Sequence, residues 1–172
     1  MKHTIAILVE DQPGVMARVA SLFTRRGFNI ESIAVGHSEK QGISRMTIIT
    51  SGDEKVLEQV TKQLNKLIDV IRVRDISPRN VIERELILVK VHTDSLSIRA
   101  EIIQLVEIFK AKVVYVERDT LTIEMSGDEE KVSGLLELIK PFGIIEIVRT
   151  GRIAIARTKN NGQRTSLRGK IN

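Results

Sequence analysis

The residues of this chain best suited to chemistry lie near its start. Asp11-Gln12-Pro13-Gly14 is a polar turn, and Val15 and Met16 open an amphipathic segment behind it. A helix beginning there leaves the N–H groups of Gly14, Val15 and Met16 without intrahelical acceptors, and the helix dipole adds partial positive charge. Such an end can receive a carboxylate, and Gly14, lacking a Cβ, allows close approach to the backbone. Asp11 offers an acceptor for an ammonium group or, equally well, a cap for the helix. Asn29 carries donor and acceptor in one amide, which suits either end of a zwitterion or simply the polar start of a strand. Ile30 can line an apolar wall or face a core. The six residues Asp11, Gly14, Val15, Met16, Asn29 and Ile30 are therefore candidate contacts for a small amino acid. The competing explanation is that Pro13-Gly14 is only a tight turn.

Catalysis finds little support. Glu10, Asp11, Glu31 and Glu39 lack a neighbouring His or Lys in a recognised arrangement, and no Ser-His-Asp signature, phosphate loop or HExxH occurs. His3, His37 and His92 lack metal-ligand spacing. With no cysteine, disulfides, zinc thiolates and a Cys nucleophile are excluded. Arg18, Arg25 and Arg26 lie off the apolar stripe of their helix and read as a solvated face. No catalytic residue and no metal ligand is expected.

The elements that must position these residues follow from periodicity. Thr4 to Val9 reads as a strand. Val15, Val19, Leu22 and Phe23 fall at helical spacing, and Gly27 stops that helix. Phe28 to Val35 and Ile43 to Thr50 read as strands about a turn at 36–42. Ser51-Gly52-Asp53-Glu54 has the spacing of a capping box, ahead of a helical face of Val56, Leu57, Val60 and Leu64; Leu67 to Val73 then forms a fourth strand. The order is β-α-β-β-α-β, the split βαβ, ferredoxin-like arrangement. After Ser77-Pro78-Arg79-Asn80 the order recurs through strand Glu85–His92, a helix with Ile98, Ile102, Leu105, Val106 and Phe109, strands 112–116 and 121–125, a helix with Val132, Leu135, Leu136 and Ile139, and strand 144–148. Thr47-Ile48 and Ser51-Gly52-Asp53-Glu54 recur 75 residues later as Thr122-Ile123 and Ser126-Gly127-Asp128-Glu129. The second copy has Thr93-Asp94-Ser95 in place of the Pro-Gly turn, so ligand binding belongs to the first.

The expected fold is therefore α+β, with two ferredoxin-like βαββαβ domains, each a four-stranded antiparallel sheet packed on two helices. The expected boundaries are 1–76 for the first domain, 77–84 for a linker, 85–156 for the second domain and 157–172 for a flexible basic tail. Aromatic residues make up only 3% of the 172, which leaves a core of Ile, Val and Leu and no stacking platform for nucleic acid. The net charge of +5 misleads in the same direction: residues 152–172 carry +6 and no acid, and residues 1–151 net −1. The tail reads as a solvated extension or a contact for an acidic partner, and no nucleic-acid partner is expected. With no apolar run long enough to span a bilayer and no apolar leader before the first strand, no membrane association and a cytoplasmic location are expected.

Three runs resemble one family: Glu10 to Val15, Leu22 to Ser32 (Leu-Phe-Thr-Arg-Arg-Gly-Phe-Asn-Ile-Glu-Ser) and Ser44-Arg45-Met46-Thr47-Ile48. They are similar to the regulatory small subunits of acetolactate synthase (acetohydroxyacid synthase), whose N-terminal half is an ACT domain. The likeness continues through Asp69–Val73, Glu83–Val91 and Ile147–Gly151. It implies a chain without its own active site that binds and activates the catalytic large subunit and confers feedback inhibition by valine or a related branched-chain amino acid. Thiamine diphosphate, magnesium and FAD would belong to the large subunit, with no cofactor on this chain. The implied effector site lies between two ACT domains and uses Asp11, Gly14, Val15, Met16, Asn29 and Ile30. Family members often carry Asn where Asp11 stands, and the charge here favours an ammonium group. A homodimer also follows from edge physics, since Phe28 to Val35 carries one charge and would make a poorly protected sheet edge. The alternative is an ACT-type sensor that regulates another enzyme or a transcription factor.

Overall fold

The computed structural model describes residues 1–76 and 81–157. The first unit contains β1 (Lys2–Glu10), α1 (Val15–Arg25), β2 (Ile30–His37), β3 (Ile43–Ser51), α2 (Glu54–Leu64) and β4 (Val70–Asp75). The second contains β5 (Val81–His92), α3 (Leu96–Ile108), β6 (Lys112–Val116), β7 (Thr120–Gly127), α4 (Glu129–Ile139) and β8 (Ile144–Arg149), followed by β9 (Ile153–Ala156). The sheets are antiparallel and run β2-β3-β1-β4 and β6-β7-β5-β8, so the second repeats the strand order of the first.

Each sheet buries one face against its two helices. In the first unit Ile5, Ile7, Val9, Met46 and Ile48 meet Val15, Val19, Leu22, Phe23, Val60 and Leu64. In the second, Ile87, Val89, Val91, Leu121, Ile123 and Met125 meet Ile102, Val106, Val132, Leu135 and Ile139. The helical stripes expected from spacing are the buried ones. Strand alternation, with its period of two, puts Thr4, Ala6 and Leu8 on the opposite side of β1.

Three readings of the sequence need correction. Ser51 does not cap α2: it ends β3 and donates its hydroxyl to Glu31, while Asp53 is the N-cap and accepts from the Val56 N–H at 2.8 Å. Asp128, 75 residues on, caps α4 in the same way through Lys131 N–H at 3.0 Å. The fourth strand begins at Val70, because Leu67 still closes the turn after α2 through a bond to Leu64 O. Residues 81–84, expected within a linker, form the first third of β5 and pair with β9, which was not anticipated; residues 77–80 lie outside those described. So does the tail from residue 158 onward.

The β5–β9 ribbon covers the side of the first sheet that the helices leave open. Ala154 packs with Ala6 and Ile76, the Arg45 guanidinium donates to Ala154 O at 2.9 Å, and the Thr4 hydroxyl donates to Glu83 at 3.0 Å. Burial of Thr4, Thr47 and Ile49 follows. The corresponding face of the second sheet keeps Leu88, Tyr115 and Val148 in solvent.

Candidate functional site

The start of α1 differs from the starts of the other helices. α2, α3 and α4 are capped by the side chains of Asp53, Ser95 and Asp128. The N-cap of α1 is Gly14, which has no side chain to offer. Its backbone is left-handed, with φ +84° and ψ −10°, a conformation glycine adopts without steric penalty. The first intrahelical bond runs from Arg18 N–H to Gly14 O at 3.0 Å. The N–H groups of Met16 and Ala17 have no acceptor among the described residues, whereas Val15 N–H makes a long 3.4 Å bond to Gln12 O. The Val15 side chain is buried in the core, and Met16 is half exposed. Of the two, Met16 is thus the one whose N–H and side chain both face outward.

Arg18 belongs to this turn, although its place off the apolar stripe suggested only a solvated face. It lies four residues after Gly14, one helical turn on, and side chains on a helix tilt toward the N-terminus. A Cβ added to Gly14 would sit 3.1 Å from Arg18 Nη1. The guanidinium is held there by its Nε–H bond to Asp69 Oδ2 at 2.7 Å, an acid whose side chain is 10% exposed. The repeat marks the same position: Arg99, four residues after Ser95, donates to Thr93 Oγ1 and to the carbonyls of Glu117 and Arg118. Position within the helix, rather than residue type, was the signal for Arg18.

Asp11 does not cap α1, since no side chain caps that helix. Its carboxylate accepts from Ser44 Oγ at 3.1 Å and faces His37 Nδ1 at 3.2 Å. Cross-strand register brings these together: His37 opposes Ser44, and Ser44 opposes Val9, two residues before Asp11. One end of the sheet therefore gathers open N–H donors, a guanidinium and an oriented carboxylate, complementary to the two ends of an amino acid.

Asn29 and Ile30 lie at the other end. Ile30 opposes Thr50, which opposes His3, and Thr50 Oγ1 donates to Asn29 O at 2.7 Å. The seven-residue step from His3 to Glu10 along β1 separates the two groups by about 24 Å. Ile30 packs against the first core, while the Asn29 side chain is exposed and unpartnered among the described residues. A single chain thus brings together Asp11, Gly14, Val15 and Met16 but not Asn29 and Ile30. A hollow of about 490 Å³ between β2–β3 and the ribbon is lined by Ala34, Val35, Ile153 and Ile155 and by none of the six residues, although His37, which faces Asp11, also lines it. Among the described residues no set of three His, Asp or Glu is arranged to hold a metal ion, and no helix is long and apolar enough to cross a membrane.

Residues 5–72 match the family described as AHAS small subunit-like ACT domain, and residues 84–158 match the family described as small subunit of acetolactate synthase. A probable acetolactate synthase small subunit of Methanothermobacter thermautotrophicus is 59% identical over 155 residues, covering 90% of this chain and 92% of that one. The acetolactate synthase small subunit of Mycolicibacterium smegmatis is 51% identical over 155 residues, with coverage of 90% and 91%. The crystal structure of the acetolactate synthase small subunit from Thermotoga maritima matches with a TM-score of 0.86 at 45% identity, covering 92% of this chain and 99% of that one.

Proposed function

Since this chain belongs to the family of acetolactate synthase small subunits, we propose that it is a regulatory subunit that activates a catalytic large subunit and makes it sensitive to valine. The observation that carries the effector site is the uncapped start of α1, where Gly14 stands in place of the capping side chains of the other three helices. The effector carboxylate meets the N–H groups at Met16 and Ala17, with Arg18 adding positive charge, and Asp11 takes the ammonium group. Val15 contributes backbone alone, because its side chain is committed to the core.

Asn29 and Ile30 enter the site from a second copy. β2 is an edge strand: among the described residues β3 is the strand it pairs with, while Gly151 and Arg152 touch it at Ser32 and Ile33. Antiparallel pairing of two β2 edges about a twofold axis sets the start of one β2 beside the end of the other. The partner's Asn29 then arrives next to His37, whose imidazole faces Asp11. A ligand bridging the two copies stabilises the dimer geometry it prefers by linkage. We assign thiamine diphosphate, magnesium and FAD to the large subunit, as the family resemblance implies. We place the complex in the cytoplasm.

Acetolactate formation by the matching large subunit, with and without this chain across a valine titration, tests the reading. Activation by the chain, with valine inhibition appearing only in its presence, is the expected result. An unchanged rate and valine response would overturn it.

A further inference from the structure

The sheet face of the first unit carries a group of arginines that the effector site does not use. Leu8 on β1 is flanked across both neighbouring strands, by Arg45 on β3 and Arg72 on β4, and Arg74 stands beside Ala6 one repeat further along. Arg45 and Arg72 stand two strand spacings, about 10 Å, apart across Leu8, and Arg74 lies two residues from Arg72 on the same face. They surround a hollow of about 220 Å³ floored by Ala6, Leu8, Ile76, Ile155 and Ala156.

Among the described residues this charge is not neutralised. Arg45 is anchored on Ala154 O, and none of the three forms an ion pair among the described residues. Glu10 shares the face but is not within ion-pair distance, and Glu83 accepts from Thr4. The segments outside the described residues, 77–80 and 158–172, contain no Asp or Glu, so neither supplies a side-chain carboxylate. The chain beyond Ala156 adds Arg157, Lys159, Arg164, Arg168 and Lys170 close behind the hollow in sequence.

Resting on the regulatory-subunit reading, we propose that Arg45, Arg72 and Arg74 form the docking surface for an acidic segment of the catalytic large subunit. β4 is the outer strand of its sheet, and an extended partner segment can lie along such an edge. Arginine forms bidentate bonds to carboxylates and is enriched at protein interfaces, whereas lysine is depleted there. Charge placed only to protect a sheet edge needs neither the guanidinium fork nor an apolar floor. The same floor, with no aromatic side chain, gives nucleic-acid bases nothing to stack on.

The test measures binding of the full chain to the large subunit, comparing wild type with R72E/R74E and with K55E/K66E, at the start of α2 and just beyond its end, as a control. Arg45 is left intact because it holds the ribbon. The expected result is at least about a 10-fold rise in Kd for R72E/R74E near 0.1 M salt, with a flattened salt dependence, and a change within about 2-fold for the control. Circular dichroism checks folding, and R72Q/R74Q serves the same comparison if charge reversal disturbs it, with a loss of at least about 3-fold expected. Wild-type affinity in the arginine variants would overturn the docking surface alone. Salt-sensitive binding of wild type to a DNA duplex, abolished in R72E/R74E, would overturn it in favour of nucleic acid. Failure of wild type to engage the large subunit at all would overturn the regulatory-subunit reading and the docking surface with it.

Discussion

Gly14 meets two demands at once, a left-handed backbone and an unobstructed approach to the first turn of α1. Gly14→Asp satisfies the first better than most residues would, since Asp tolerates positive φ, but it places a carboxylate beside Arg18 where the effector's own should sit. The expected outcome is at least a ~10-fold weaker valine response with activation retained, because one lost charged contact is worth about 1.5–3 kcal/mol; a wild-type valine titration would show the site to be wrong. Asn29→Ala should weaken the same response while changing stability by no more than about 0.5 kcal/mol, the usual range for an exposed position, as read from urea unfolding. Arg18→Met should cost about 1–2 kcal/mol in the same experiment, since it strips Asp69 of its charged partner. The pairing with Asp69 spans 51 residues, which explains why a helical wheel showed only an exposed arginine. The role of Asp11 was half legible: its carboxylate was evident, but its partners Ser44 and His37 depend on strand register rather than on local sequence.

At the scale of the elements, the caps account for the difference between the two repeats. Ser95 seals the start of α3 by accepting from Ile98 N–H at 3.2 Å, so Ser95→Ala should lower stability by about 1 kcal/mol, measured as a shift in thermal midpoint, with no change in valine response. An altered valine response in that variant would place an effector site in the second unit. The eight strands and four helices of the duplicated pattern were legible because their apolar residues repeat with period 2 or 3.6 over long enough runs. β9 was not: Ile153-Ala154-Ile155-Ala156 is too short for alternation to speak, and its partner, residues 81–84, lies some 70 positions earlier. Ser51 misled because a side chain with cap spacing, read locally, cannot reveal that the strand before it has not yet ended.

Across the whole molecule, an ion cluster joins the two units. Lys2 donates to Glu129 at 2.6 Å, Arg152 pairs with the same carboxylate at 2.5 Å, and Glu31 stands 3.6 Å from Lys2. The Lys2 hydrogen bond holds the Glu129 carboxyl below the usual carboxylate range, and the same bond raises the Lys2 ammonium. For Glu129 the stabilisation is present above its unfolded-state value and lost as pH falls through the depressed one; for Lys2 it is present below the ordinary ammonium value and lost as pH rises through the raised one. The cluster's own contribution to thermal stability should therefore be level between about pH 5 and 10, and Glu129→Gln should diminish that contribution at both flanks. Equal pH profiles for variant and wild type would show that the cluster does not couple to folding. Nearby, Gly151 has φ +78°, and a Cβ there would come within 2.6 Å of Ile33 O, so the backbone at this junction sits against the strand that follows Asn29.

The ribbon that closes over the first sheet also sets an order of events during synthesis. β9 contacts a sheet whose first strand is made some 150 residues earlier. At a translation rate of 5–20 residues per second, β1 precedes β9 by about 7–30 s. For about the second half of that interval, once β4 is made, the newborn first unit can bury its helical side but leaves Ala6, Thr47 and Ile49 without their final cover. That strip, on a sheet with open edges, is open to chaperone capture until β9 arrives.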